Sequence, residues 1–229
     1  NTGDTEYFKK GFASDEEREA YEAELCATVE AEGAALLKNE NNALPLASGA
    51  KVSLFGHGSV DLMYGGTGSG SVDTSKAPNL KDALEAQGIT INQTLWDLYK
   101  SDSMMSKYSR MTPASISDTL EANTQYAVNE APWSALSSAE SSFAEYGDAA
   151  IVVLSRSGGE GADLPSGANG TNDSWISGQE GDGNYLALSA EEIELLQNLK
   201  ALKDNGTFKN IIVLINSSNA IELDFLNPE

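Results

Sequence analysis

The chain has 229 residues, enough for one large domain or two small ones, and its 40% apolar content supports an ordinary buried core rather than disorder. Lysine and arginine number 14 against 35 aspartates and glutamates, which gives a formal net charge of −21. Such a surface repels nucleic-acid phosphates and anionic membranes, so neither partner is expected, whereas neutral substrates and cations are compatible with it. The sequence has no run of about 18 apolar residues that would span a bilayer.

The first predicted element is a helix that follows a lead-in segment at residues 1–13. Ser14 and Glu17 have the spacing of a capping box, and the apolar residues after them recur near helical period. We therefore predict a helix from Ser14 to about Lys38. Cys26, the only cysteine, occupies an apolar position of this pattern and is predicted to lie in the core.

Four short runs rich in apolar and β-branched residues are predicted as strands, at 51–55, 89–91, 149–154 and 211–215. Helices are predicted between them, and the longest begins at a second capping box, formed by Ser189 and Glu192. A polar, serine-rich region at 100–145 has helical patches at 116–128 and 134–145. Because it has little long apolar content, we predict that it is a peripheral insertion.

The alternation of strands and helices predicts the α/β class, with a mostly parallel sheet between layers of helices. We expect a single three-layer αβα sandwich domain that spans residues 1–229. A sheet of this kind normally continues beyond a strand such as 211–215, so we expect the domain to be truncated at its C-terminal end. No signal peptide is visible. The chain begins at Asn1 rather than Met, as expected of an excised piece, so targeting by an upstream segment stays open.

A glycine-rich loop at 56–72 follows the first predicted strand. A strand, a glycine loop and a helix are the parts of a phosphate cradle, but Asp61 replaces the third glycine of the GxGxxG pattern. No Gly-Lys-Ser/Thr sequence occurs, so the pattern disfavours nucleotide binding. The alternatives are a close-packed backbone turn or a loop that faces a sugar, where small residues let the main chain approach a ligand.

A second polar loop, at 155–184, carries Glu160 and Asp163 among glycines. Glycosidic cleavage needs two carboxylates, and Glu160 is a candidate for one of them. Surface loops commonly carry such residues, so the pair alone is weak evidence. His57 is the sole histidine, which excludes a zinc site built from several histidines within the chain.

Several segments, taken together, resemble glycoside hydrolase family 3. AEGAALLKNENNALPL is similar to the family's entry into its sandwich domain, and KVSLFG followed by YGGTGSGSV is similar to the first strand and its glycine loop. AIVVLSRSGGEGADLP resembles the strand and loop that carry the acid/base carboxylate in many members. YLALSAEEIELLQNL and NIIVLINSSNAIEL resemble the next helix and strand, so the matches extend in order over most of the chain.

The resemblance implies a domain of an exo-acting β-glycosidase that retains anomeric configuration. In the family, a (β/α)8 barrel supplies the aspartate nucleophile and most of the sugar pocket, and the sandwich domain supplies the acid/base. The EGAD match assigns that role to Glu160, with Glu180, later in the same loop, as the alternative. The sequence departs from the family at Leu164, where an arginine is frequent, which puts that arginine's contact in doubt.

Tyr64, Gly65, Gly66 and Asp163 are the expected substrate-binding residues. The expected partners are a β-linked oligosaccharide or glycoside and a barrel domain of the same polypeptide, and we expect no cofactor and no metal. We also expect the chain to be inactive alone, and Glu160 to titrate like an ordinary glutamate when no barrel covers it. The alternative is a non-catalytic carbohydrate-binding or interaction module with the same fold.

Overall fold

A computed structural model describes residues 11–66, 68–111, 126–160, 176–177 and 185–226. The chain divides into two compact units, Asn1–Leu44 and Pro45–Glu229. Among the described residues, none of the helices combines the length and the hydropathy that a membrane span requires.

The first unit contains helix α1, Asp15–Gly33. The predicted N-cap is confirmed, because the Ser14 hydroxyl accepts a hydrogen bond from Glu17 N at 3.2 Å. The helix ends at Gly33 rather than near Lys38, since glycine weakens the helix there. The prediction that Cys26 lies in the core is wrong. Its side chain is exposed, and no residue of α1 is buried.

The second unit contains the sheet and its helices. In chain order, its strands and α-helices are β1 (Lys51–Phe55), α2 (Leu80–Ala86), β2 (Thr90–Ile91), α3 (Gln93–Lys100), α4 (Asp102–Met105), β3 (Tyr126–Ala127), β4 (Ala149–Arg156), β5 (Ile176–Ser177), α5 (Ala190–Asp204) and β6 (Ile211–Ser217). Short 3-10 helices cover His57–Ser59, Gly68–Gly70, Trp133–Ser142 and Asp224–Leu226.

Four strands form one parallel sheet in the order β2-β1-β4-β6. Each corresponds to one of the predicted strands. All eight residues of β4 are buried, and β1 is buried beyond Lys51. Because successive side chains of a strand point to opposite faces, burial of consecutive residues means that both faces of the sheet are covered. The predicted α/β sandwich with a mostly parallel sheet is therefore confirmed. A second, two-stranded parallel sheet pairs β3 with β5.

An aromatic cluster packs beside the sheet and includes part of the serine-rich region that was expected to be peripheral. Phe143 lies with its ring centroid 5.2 Å from that of Phe55 and 5.9 Å from that of Phe208. Leu136, on the 3-10 helix of this region, is fully buried. Apolar residues spaced between serines thus contribute to the core. Of the helical patch predicted at 116–128, only the last three residues are described, and they include strand β3 rather than a helix.

Phe143→Ala is expected to lower the free energy of unfolding by about 3–5 kcal/mol, because it leaves a cavity among Phe55, Trp133 and Phe208. Urea denaturation followed by tryptophan fluorescence would measure the change. Phe225→Ala is the matched control, since that side chain is 39% exposed, and its midpoint should shift much less. Equal shifts for the two variants would contradict this account of the core.

Candidate active site

The candidate site lies at the carboxyl ends of β1 and β4, where ligands of open parallel sheets generally bind. The glycine loop follows β1, and the loop that carries Glu160 follows β4. The two loops are in contact, because a Cβ atom added to Gly66 would lie 3.4 Å from the carbonyl oxygen of Gly158. The described residues of both loops thus lie at the same edge of the sheet, as the carboxyl ends of neighbouring parallel strands require.

Glu160 is exposed and its carboxylate is held by the glycine loop. Its Oε2 atom accepts a hydrogen bond from the backbone N–H of Ser69 at 2.7 Å. The pKa of Glu160 is lowered from its ordinary value, first by the hydroxyl of Ser69 and then by the Ser69 N–H. The expectation of ordinary titration in this chain is therefore wrong, because these two donors favour the ionised carboxylate.

Gly68 allows this close approach between the two loops. Its φ of +71° lies in the left-handed region, and a Cβ atom at this position would lie 2.7 Å from the Cβ of Glu160 and 3.0 Å from its Oε2. Any other residue at position 68 would therefore be strained and would displace Glu160. Gly68 thus serves the contact of this loop with the Glu160 carboxylate.

Asn216 of β6 fixes the middle of the glycine loop, at Met63, to the sheet. Its Oδ1 accepts from Met63 N at 2.6 Å, and its Nδ2 donates to Met63 O at 3.0 Å. The Ser155 hydroxyl, on β4, donates to the same Oδ1 at 3.3 Å. Side chains of two strands, β4 and β6, thus hold in place the loop that follows β1.

An open cleft of about 260 Å³ lies beside the loop. It is lined by Asp61, Leu62, Met63, Tyr64, Gly65, Gly66, Ser71, Val72, Thr74 and Arg110. The Tyr64 hydroxyl donates to Pro78 O at 2.8 Å, and burial followed by the charge of Asp61 raises the pKa of Tyr64. Asp61 pairs with Arg110 at 3.3 Å, so its charge is partly compensated. Three of the predicted substrate-binding residues therefore share one cleft.

The guanidinium of Arg156, at the end of β4, is fully buried. Nε donates to Tyr185 O, one terminal nitrogen to Ser155 O and Glu192 Oε1, and the other to Ala187 O and Glu192 Oε2. These bonds, of 2.6–2.9 Å, engage all five N–H donors of the side chain.

Glu192 connects this ion pair to the N-terminus of α5. Its Oε2 also accepts from Ser189 N at 2.8 Å, while Ser189 Oγ accepts from Glu192 N. The capping box predicted from sequence is therefore confirmed, and it contributes the carboxylate that compensates Arg156. The Arg156–Glu192 pair thus joins the end of β4 to the start of α5, and the segment between these two elements carries Glu160.

A second buried group lies behind the start of the glycine loop. The carboxylate of Glu130 accepts from His57 N at 3.0 Å, from His57 Nδ1 at 3.1 Å and from Ala131 N at 2.9 Å. The Tyr99 hydroxyl accepts from Gly56 N at 3.1 Å, and burial and then the charge of Glu130 raise the pKa of Tyr99 well above its ordinary value. His57 thus has a structural partner within the core.

Asp163 and the alternative acid/base Glu180 lie outside the described residues. The sequence carries no local signal for the roles of Ser69, Arg156 and Glu130. Arg156 follows an apolar run and precedes glycines, which is typical of a loop residue, and no periodicity indicates a buried arginine. The capping box at Ser189 indicates the contact of Glu192 with the N-terminus of α5, but it gives no indication of the ion pair between Glu192 and Arg156.

The family model of the glycosyl hydrolase family 3 C-terminal domain matches residues 34–229. β-Glucosidase A of Butyrivibrio fibrisolvens is 34% identical over 146 residues, which are 61% of this chain and 15% of that protein. The chain therefore spans a small part of the length of this curated relative.

Two solved structures share the fold. A β-glucosidase from Paenibacillus barengoltzii is 26% identical with a TM-score of 0.66, over 90% of this chain and 19% of that chain. β-Glucosidase 3B from Thermotoga neapolitana, in complex with glucose, is 23% identical with a TM-score of 0.63, over 90% of this chain and 25% of that chain.

Glu192→Gln is expected to destabilise the fold by about 3–5 kcal/mol, because it leaves the buried charge of Arg156 uncompensated. Thermal or urea unfolding would measure the change. Asp204→Asn is the control, since it removes one partner of the exposed Lys200 pair and should change stability far less. A Glu192→Gln chain as stable as the wild type would show that the pair does not hold the two elements together.

Proposed function

The chain belongs to the family of glycosyl hydrolase family 3 C-terminal domains, and from this membership we propose that it is the sandwich domain of a retaining, exo-acting β-glycosidase. The proposal assigns the acid/base role to Glu160. It is supported by the β-glucosidase names of the relatives and by the position of Glu160, exposed at the carboxyl edge of the sheet beside a cleft. The contact between Glu160 and the glycine loop is the observation that carries it.

The chemistry requires a second carboxylate, which we assign to an aspartate on a barrel domain of the same polypeptide. In the first step, protonated Glu160 donates its proton to the glycosidic oxygen while the bond from that oxygen to the anomeric carbon breaks. The aspartate forms an ester bond to this carbon. In the second step, a water oxygen bonds to the same carbon, its proton passes to the Glu160 carboxylate, and the ester bond breaks.

The first step requires that Glu160 carries a proton near working pH. In this chain the Ser69 donors lower its pKa, so the barrel must act in the opposite direction. Two effects of the barrel would raise the pKa of Glu160: its surface would exclude water from the carboxylate, and the negative charge of the nucleophile would lie close to it. The same group then serves as acid and, after proton transfer, as base.

The sugar is proposed to lie between the barrel and the cleft beside the glycine loop. Tyr64, Gly65 and Gly66 line this cleft and are assigned to substrate binding, together with Asp163. The small residues let the main chain approach the sugar closely, and the Tyr64 ring offers an apolar face for a pyranose. No cofactor enters either step.

The purified chain alone is expected not to hydrolyse β-glucosides, because only one of the two required carboxylates has a catalytic setting in it. The measurement is release of 4-nitrophenol from 4-nitrophenyl β-D-glucoside. The protein joined to its barrel is the positive control, and a Glu160→Gln preparation exposes any contaminating enzyme. Turnover by the chain that Glu160→Gln abolishes would contradict the proposed division of labour.

In the enzyme that carries the barrel, Glu160→Gln is expected to lower the rate on unactivated disaccharides by roughly 10²–10⁴-fold, the usual contribution of general acid catalysis. Aryl glycosides with good leaving groups need little protonation, so their first step should suffer less. Deglycosylation then lacks its base, and azide should restore turnover with a β-glycosyl azide as the product.

Glu180→Gln is the matched control for this experiment, because Glu180 lies in the same loop. If Glu180→Gln abolished hydrolysis while Glu160→Gln left it intact, the acid/base would be Glu180. If neither change affected an active enzyme, the acid would lie elsewhere. An intact protein that bound β-glycosides without cleaving them would instead be the non-catalytic module.

A further inference from the structure

We propose that Ser69 is a positioning residue that holds the carboxylate of Glu160 while Glu160 alternates between its roles as acid and as base. The inference rests on the proposed function, since it assumes that Glu160 is the acid/base. It adds a residue of the glycine loop whose N–H donates to the Glu160 carboxylate and whose hydroxyl also favours the ionised form of that carboxylate.

The geometry gives Ser69 little freedom relative to Glu160. Its N–H lies 2.7 Å from Oε2, and the preceding Gly68 packs against the Cβ of Glu160. The turn that presents this N–H is closed by a hydrogen bond of 3.0 Å from Ser71 N to Gly68 O. The donor is thus fixed by the backbone before any substrate arrives.

Among the residues that the structure describes, the charged and titratable groups near Glu160 do not replace Ser69. The glycine loop carries three of them: His57 contacts Glu130, Asp61 pairs with Arg110, and the Tyr64 hydroxyl donates to Pro78 O. On β4, the Arg156 charge is paired with Glu192. Ser218 and Asn219, which lie beside Gly158, are uncharged. The hydroxyl and N–H of Ser69 are the groups that lower the pKa of Glu160.

Two hydrogen-bond donors stabilise the ionised carboxylate more than the protonated acid. They therefore stabilise the state that Glu160 reaches after it has protonated the leaving group, and from which it accepts the proton of water. The same donors reduce the fraction that is protonated at high pH. Ser69 should thus influence the alkaline limit of the glycosidase, which reports protonated acid in the free enzyme.

The first experiment titrates the Glu160 side-chain carboxyl carbon by NMR in this chain. Ser69→Ala, which removes the hydroxyl and keeps the N–H, should move the pKa of Glu160 upward. Ser69→Thr should keep the wild-type titration, since it retains both donors. Ser75→Ala is the matched control, because Ser75 N donates to Asp73 Oδ1 at 2.9 Å, and the N–H and then the hydroxyl of Ser75 lower the pKa of Asp73. It should shift Asp73 and leave Glu160 unchanged.

The second experiment measures kcat/KM against pH in the enzyme that carries the barrel. Ser69→Ala should move the alkaline limb to higher pH, and Ser69→Thr should restore it. A purely structural role would lower activity at every pH without moving the limb. An unchanged Glu160 titration, or an unchanged limb, in Ser69→Ala would overturn the inference while Glu160→Gln still lost activity. Failure of the proposed function would give a different result. The Glu160→Gln enzyme would be fully active, while Ser69→Ala would still shift the pKa of Glu160 in the chain that keeps this glutamate.

Discussion

The buried guanidinium of Arg156 is the interaction on which the geometry of the candidate site depends. A buried charge is tolerated only with a compensating partner and satisfied donors, and Arg156 has both in Glu192 and three main-chain carbonyls. These partners lie before and after the segment that carries Glu160. One side chain therefore fixes where β4 ends, where that segment returns to the sheet and where α5 begins.

The candidate acid/base is held by neutral donors rather than by a cation. An adjacent lysine or arginine would favour the carboxylate strongly and oppose its protonation. The hydroxyl and N–H of Ser69 also orient the carboxylate, but they lower the pKa of Glu160 less than a cation would. A surface that covers the loop can therefore more readily raise the pKa of Glu160 again.

The sequence predicts the sheet well because its strands are apolar runs and its helices begin at recognisable caps. It also places Glu160 and the glycine loop on one edge, since both follow parallel strands. Sequence-based prediction is wrong where tertiary contacts determine burial and pKa. Helical periodicity does not show that Cys26 is exposed. The serine-rich composition around Phe143 likewise gives no indication that this side chain is buried. The lowered pKa of Glu160 depends on Ser69, which lies 91 residues away along the chain, a pairing that no local pattern reveals.

The order of strands has a consequence for synthesis on the ribosome. The pairing of β1 with β4 joins segments far apart in sequence, as in the contact of Lys51 with Asp148, which are 97 residues apart. At a translation rate of about 5–20 residues per second, β1 emerges roughly 5–20 seconds before its central partner exists. During that interval only the two-residue strand β2 can cover one of its edges. Until β4 has been synthesised, the apolar residues Val52, Leu54 and Phe55 lack the strand against which β1 pairs, so the central pairing of the sheet forms late in synthesis.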